Sequence, residues 1–294
     1  MLNGTFTVSG STKALNIKPD YMSSSYTISA STDNDESGAQ AISSGDLNTK
    51  YETYRYLRFA PGSPVASIGS TNYASIEAAV DAAQDGQTVK LLQNVELIRS
   101  ITINEKDNRN ITIDLNNKTI IVPSVYEAVM FKGNGALTIK NGTLEMKYEI
   151  TVGLKSVILM DGPGTLNLQS CTVNNQAGKT NWNSQAIKML SGTINAENCT
   201  IINRDASEVI YMSGDNSILN LVNCEVKSNR PYNSLGTDHA LLLAIGGSVT
   251  IKGGIMDVNG TAAIQATANT SLYITGGANI TSYNESQQDY NTYE

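Results

Sequence analysis

The chain has 294 residues with 20 basic against 27 acidic side chains, a net charge of −7 with its single His neutral, and could form one elongated domain or two compact ones. That balance argues against nucleic acid and anionic membranes as partners, whose affinity rests on basic patches, and no apolar run approaches the ~18 residues of a membrane span. Fourteen Tyr against three Phe, with abundant Asn, Ser, Thr and Gly, is the composition of an extended β protein with a wet, hydroxyl-rich surface.

Taken in order, residues 1–62 read as the β-rich tail or cap of a preceding module. LNGTFTV (2–8) carries an Asn-Gly corner before an apolar residue and looks like the last coil of a preceding β-helix. Two β-prone runs, Tyr26 to Ser31 and Tyr54 to Phe59, flank an acidic Ser/Gly-rich loop and suggest a hairpin or small cap. MLNGTFTVSG has neither a basic n-region nor an apolar h-region, so no signal peptide is read there. The chain is expected to be a piece of a longer exported protein, secreted or at the cell surface. PGSP (61–64) reads as a linker, and residues 63–294 as one solenoid.

The one convincing helix spans 75–83. Ile76, Ala79, Val80 and Ala83 form its stripe, Ser75 is its N-cap, and Asp85-Gly86 ends it. Its stripe is expected to cap the first coil. Ile101-Thr102-Ile103 and Ile111-Thr112-Ile113 then lead into a phrase written six times: LTIKNG (137–142), LNLQSC (166–171), INAENC (194–199), LNLVNC (219–224), VTIKGG (249–254) and LYITGG (272–277), with a looser copy at ITIDLN (111–116). The starts lie 23 to 30 residues apart, which marks a fixed unit with loops of varying length spliced in.

Residues at offsets 0 and 2 of the phrase share one face of a strand, and offset 7 is apolar in five copies, with Ile280 arriving one residue late in the sixth. Offsets 4 and 5 hold small or αL-tolerant residues, as a tight corner requires. A third apolar run follows each corner, as in Val157-Ile158-Leu159 and Val209-Ile210. Three short strands per coil predict an all-β fold, a parallel β-helix with Gly142, Cys171, Cys199, Cys224, Gly254 and Gly277 forming one structural corner column. The cysteines then read as stacked buried thiols rather than as a metal site or nucleophiles.

The run YASIEAAVDAAQDGQTVKLLQNVEL (73–97), with SITI (100–103) and NITIDLNNKTI (110–120), resembles the opening of pectate-lyase-like right-handed β-helix modules that occur in tandem in large surface proteins of gut bacteria. YTISASTDNDESGAQAI (26–42) and YRYLRFAP (54–61) resemble the tail with which such modules end. The resemblance implies a right-handed parallel β-helix and neighbouring modules in the same chain. It is weak for activity, because that scaffold carries lyases, hydrolases, adhesins and inert stalks.

The lyase pattern wants carboxylates clustered for Ca²⁺ beside a basic residue, and the hydrolase pattern wants paired carboxylates. The acids of the coils, among them Glu149, Asp161, Asp205, Glu208, Asp215 and Asp257, are scattered over different offsets. No catalytic residue, metal site or cofactor is therefore assigned. Ligand-binding candidates sit on the two longest loops: Asn181, Trp182 and Asn183, then Arg230, Tyr232, Asp238 and His239. An aromatic flanked by amides suits a sugar face, although the same aromatics could pack over their own loops. The expectation is a non-catalytic stalk or adhesin whose loops meet a polysaccharide or a host surface glycan or protein. A lyase or glycoside hydrolase of the same superfamily is the alternative, and an inert spacer the third.

Overall fold

Apolar residues alternate with polar ones along each copy of the phrase, so a strand there has one face to bury and one to leave in water. In the computed structural model the chain hides that face by coiling. It describes residues 6–15, 26–42, 47, 49–97, 99–122, 127–147, 156–176, 184–204, 208–228, 240–259, 262–267, 269–284 and 289–293. From Thr88 onward it winds into a parallel β-solenoid with three strand faces per coil, here called A, B and C.

Face A stacks the opening triplets. Leu137, Leu166, Ile194, Leu219, Val249 and Leu272 pair in register from coil to coil. Face B stacks the residues after the corner, with Leu144, Val173, Ile201, Val226 and Met256 in one column. Face C is a seven-stranded sheet of short strands in which Ile158, Ile187, Ile210, Leu242 and Ile264 align. Up to the last coil, the inward side chains of all three faces belong to one continuous core. Each fully buried Leu or Ile in it contributes about 1.5–3 kcal/mol of transfer free energy.

The tail folds separately in hydrophobic terms. Strands β1 (Phe6–Ser9), β2 (Tyr26–Ser31), β3 (Gln40–Ile42) and β4 (Tyr56–Pro61) form an antiparallel sheet in the order β1-β4-β2-β3. It buries Ile28, Ala30, Leu47, Leu57 and Phe59 in a core of its own. The structure departs here from one reading of the sequence: Phe6–Ser9 pairs antiparallel with β4 rather than forming a β-helix coil. Pro61 ends β4 opposite Tyr26, residues 62–64 carry no regular secondary structure, and Leu92 N donates to Val65 O within the solenoid.

The N-terminal end of the solenoid is closed by two devices. A hairpin of β5 (Ala66–Ile68) and β6 (Thr71–Tyr73) lays β5 antiparallel against β7 (Thr88–Leu91), so the parallel ladder stops there. The helix α1 (Ile76–Ala82) then places Ile76, Ala79 and Val80, with Ala83 beyond its last turn, into the main core. Ser75 caps it as expected, its Oγ accepting from Ala78 N at 3.1 Å. Its C-terminal carbonyls take a cap that the sequence did not reveal: Arg109 donates to Ala83 O and Val80 O while Asp107 holds its guanidinium, Nε to Oδ1 at 2.9 Å. That ion pair keeps the Asp107 carboxyl below its ordinary pKa, chiefly through the hydrogen bond from Arg109. Among the described helices none is long and apolar enough to cross a membrane.

Candidate functional site

Each coil has three corners, and they are built differently. At the A–B corner the phrase turns within one residue. Offset 4 sits at positive φ in every copy: Asn141 (60°), Ser170 (51°), Asn198 (54°), Asn223 (50°), Gly253 (64°) and Gly276 (71°). Asn and Gly tolerate that conformation, whereas Ser170 occupies it at some cost.

Offset 5 is small for a separate reason. A Cβ on Gly142 would stand 2.5 Å from the Cβ of Leu115, a buried residue of the preceding coil, and Lys118 O lies as close. Beyond Gly142 no large side chain lies beneath the column, and it passes through Cys171, Cys199 and Cys224, all free, buried and stacked by strand register. Cys171 Sγ donates to Ile139 O and Gln169 O, each at 3.2 Å. Stacked side by side, the thiols shift one another's titration: the neighbouring Cys199 lowers the Cys171 thiol, Cys171 pushes Cys199 up to about 11, and Cys199 raises Cys224. Cys199 and Cys224 therefore hold their protons and act as packing rather than as nucleophiles. The column continues to Gly254 in register, but Ile255 pairs with Asn279, so Ala278 rather than Gly277 lies opposite Gly254 on the B side. Gly277 is the residue that makes Ile280 arrive late.

The C–A corner is a glycine column that the sequence reading passed over. A Cβ on Gly135 would meet Arg109 O at 2.1 Å, on Gly164 Gly135 O at 2.3 Å, on Gly192 Gly162 O at 2.2 Å and on Gly247 Ser217 O at 2.3 Å. Backbones of successive coils come so close at these four positions that an added Cβ would overlap a carbonyl oxygen, although Ser217 holds the same place in the fourth copy. The signal was in plain view as a Gly two residues before most copies of the phrase.

The B–C corner is where length varies. Strand pairing holds register on face B before it and on face C after it. The larger insertions are therefore absorbed at 123–126, 148–155, 177–183, 205–207 and 229–239, while the C–A corner varies by only a few residues. Asn181, Trp182, Asn183, Arg230, Tyr232, Asp238 and His239 fall within these stretches and lie outside the described residues.

What the structure does describe is the base from which they leave. Asn175, wholly buried at the end of a B strand, donates through Nδ2 to Ser184 Oγ at 2.9 Å and Ser184 O at 3.2 Å, tying together the two ends of the 177–183 segment. Asn203 donates to Ser184 O and to Glu208 O, both at 2.8 Å, closing the next segment and stapling it to the previous one. Beside these clamps runs a buried polar column two residues ahead of four successive C strands, Glu127, Ser156, Gln185 and Glu208, with Ser100 directly before the first C strand. Ser100 Oγ donates to Glu127 Oε2 at 3.5 Å, Ser156 Oγ to Gln185 Oε1 at 3.3 Å, and Gln185 Nε2 to Glu208 Oε2 at 3.3 Å. Sequence reasoning missed the clamps because an Asn ending a strand reads as a loop residue.

The outer side of face C borders this corner. Met130, Leu159, Lys188, Tyr211 and Leu243 stand in one half-buried column, and the Lys188 ammonium sits 5.8 Å from the centre of the Tyr211 ring. An aromatic beside a cation on a flat sheet is a surface that can take a sugar ring or an acidic group.

An open cleft lined by Asp85, Lys106, Asp107, Asn108, Arg109 and Asn110 lies near the capped end. Its polar groups are committed to structure, with Asp85 Oδ1 accepting from Asn110 N at 2.7 Å and Arg109 holding α1. Among the described residues no group of three His, Cys, Asp or Glu side chains converges as a metal site would require. No protein-family model matches the chain, nor does any curated protein or solved structure.

Proposed function

We propose that this solenoid is a non-catalytic display module, a rigid stalk or adhesin whose B–C loops meet a polysaccharide or a host surface glycan or protein. The observation that carries the reading is the pair of buried Asn clamps. They fix the loop bases through backbone carbonyls, so the segments between them can change length and sequence while both flanking sheets keep register. A scaffold that separates loop variation from core packing is how repeat proteins build binding faces. The column holding Lys188 and Tyr211 adds a flat surface beside the loops. Placement as a pectate-lyase-like module of an exported, repetitive surface protein of gut bacteria, joined to adjacent modules, rests on the resemblance of 26–42, 54–61 and 73–120 and is part of the same proposal.

Glycan-array binding by the whole chain tests it. Binding should fall by an order of magnitude or more on Trp182→Ala and more mildly on Tyr211→Ala. Binding untouched by both changes would reject the loop face. Release of unsaturated product from polygalacturonate with Ca²⁺ would instead favour the lyase.

A further inference from the structure

Between Gly142 and Gly254 the A–B corner column consists of Cys171, Cys199 and Cys224, all free and buried. Their sulfurs point the same way. Each donates to the carbonyl two residues earlier in its own coil, Cys171 to Gln169 O at 3.2 Å, Cys199 to Glu197 O at 3.3 Å and Cys224 to Val222 O at 3.5 Å. Cys171 and Cys224 also reach matching carbonyls of the coil before, Ile139 O and Ala196 O. The three thiols therefore repeat with the coil, about 4.8 Å from rung to rung. A straight line of donors cannot surround a tetrahedral ion, and among the described residues no three His, Cys, Asp or Glu side chains are placed to do so. A line can hold a two-coordinate ion in each gap. Metal–thiolate bonds run at about 2.3 Å, so two end to end span about 4.6 Å, close to the rung spacing. Side chains stand roughly at right angles to a ladder, which sets each sulfur–carbon bond across that axis, as the bond angles of sulfur require.

We propose that this column is a site for Cu(I), a soft monovalent cation that binds two sulfurs in line, with one ion in the gap from Cys171 to Cys199, one in the gap from Cys199 to Cys224, and Cys199 shared. Soft thiolates select such an ion over Mg²⁺ or Ca²⁺, and the linear spacing selects it over Zn²⁺. Two ions displace three protons from the three thiols and leave a cluster of charge −1, with no change of oxidation state. The neighbouring thiol has the largest effect on each titration, and beyond it backbone groups of the preceding corner favour the anionic sulfur: Asn141 and Gly142 at Cys171, Cys171 at Cys199, and Cys199 at Cys224. The way in is short, because each Cys directly follows an exposed corner residue, Ser170, Asn198 or Asn223. The site belongs to the fixed corner and stands independently of the loop face.

Silver(I), which shares the linear preference and keeps its oxidation state beside thiols, tests the proposal on the intact chain. Bound ions are counted by native mass spectrometry while circular dichroism follows the fold. Wild type should hold two ions. Cys171→Ala and Cys224→Ala should each hold one, because one gap survives, whereas Cys199→Ala should hold none, because the sulfurs that remain are two rungs, about 9.6 Å, apart. Cu(I) supplied without oxygen should give the same counts. Equal losses from all three variants would mean that the thiols bind singly, and would overturn the proposal. So would a wild type that holds fewer than two ions, copper counts that differ from those of silver, or Zn²⁺ held as firmly as either. Were Cys199→Ala to unfold, the two end variants would still decide, since each must keep one ion and lose one.

Discussion

At the A–B corner the chain turns at an αL residue and keeps register from the copy at Leu137 to the copy at Val249, slipping by one residue only at Gly277, while at the B–C corner it departs for stretches of different length and still lands in register. The first corner achieves this by leaving no freedom: αL residues at offset 4, and a column of glycine and thiols at offset 5. The second achieves it by clamping the loop base with buried amides and leaving the loop itself out of the core. The difference teaches where variation is tolerated in a solenoid: not wherever the chain turns, but where backbone polar groups are satisfied by side chains of the scaffold rather than by the turn itself.

The comparison breaks most visibly where backbones touch. Gly164→Val would press its Cβ into Gly135 O, 2.3 Å away, and should cost about 4 kcal/mol or more, read as a drop in the urea midpoint or as failure to fold. Asn175→Ala removes the clamp and leaves Ser184 Oγ without this donor, while the Ser184 carbonyl keeps its bond from Asn203. The expected loss is about 1–3 kcal/mol in urea unfolding, larger than for Ala at an exposed Asn of the loops. Ser170 sharpens the contrast from the other side, since it alone among the six corner residues at offset 4 is neither Asn nor Gly. Ser170→Gly should raise stability by about 0.5–1 kcal/mol, whereas Asn198→Ala should lower it by about 1 kcal/mol.

The smallest effect lies at the capped end. The Asp107 pKa is lower in the folded chain than its ordinary 3.8, so its bond to Arg109 contributes stability above that value and loses it as pH falls below 3.8 through the native value. The gap in midpoint between wild type and Asp107→Asn should be present at neutral pH and close as the solution is acidified through that range.

Much of this was legible in the sequence for a physical reason. Period-2 alternation and a fixed distance from Leu137 to Gly142, from Leu166 to Cys171, and so on, are local patterns, and in a solenoid each local pattern meets only its own copy in the next coil. Hence the rungs, the capping stripe of α1 and the late Ile280 could be read directly. Less was legible where a residue's role depends on backbone or side chains of another coil rather than on its own local pattern. Gly135 and Gly164 look like ordinary turn glycines until the preceding carbonyls are placed over them. Arg109 reads as a loop residue until α1 is folded above it, and Asn175 acts on a carbonyl beyond an insertion of arbitrary length. The tail strand Phe6–Ser9 misled because an Asn-Gly corner before an apolar residue serves an antiparallel sheet as well as a coil.

The central claim is that the fold is specified at the fixed corners and is indifferent to the B–C loops. Replacing 177–183 with a Gly/Ser segment of equal length and comparing its urea midpoint with that of wild type tests this most directly. The account predicts midpoints that agree to within about 0.5 kcal/mol, because the Asn175 clamp and the Ser184 carbonyl survive the exchange. A loss approaching that of Gly164→Val would contradict it, and would mean that the loops hold the coils together.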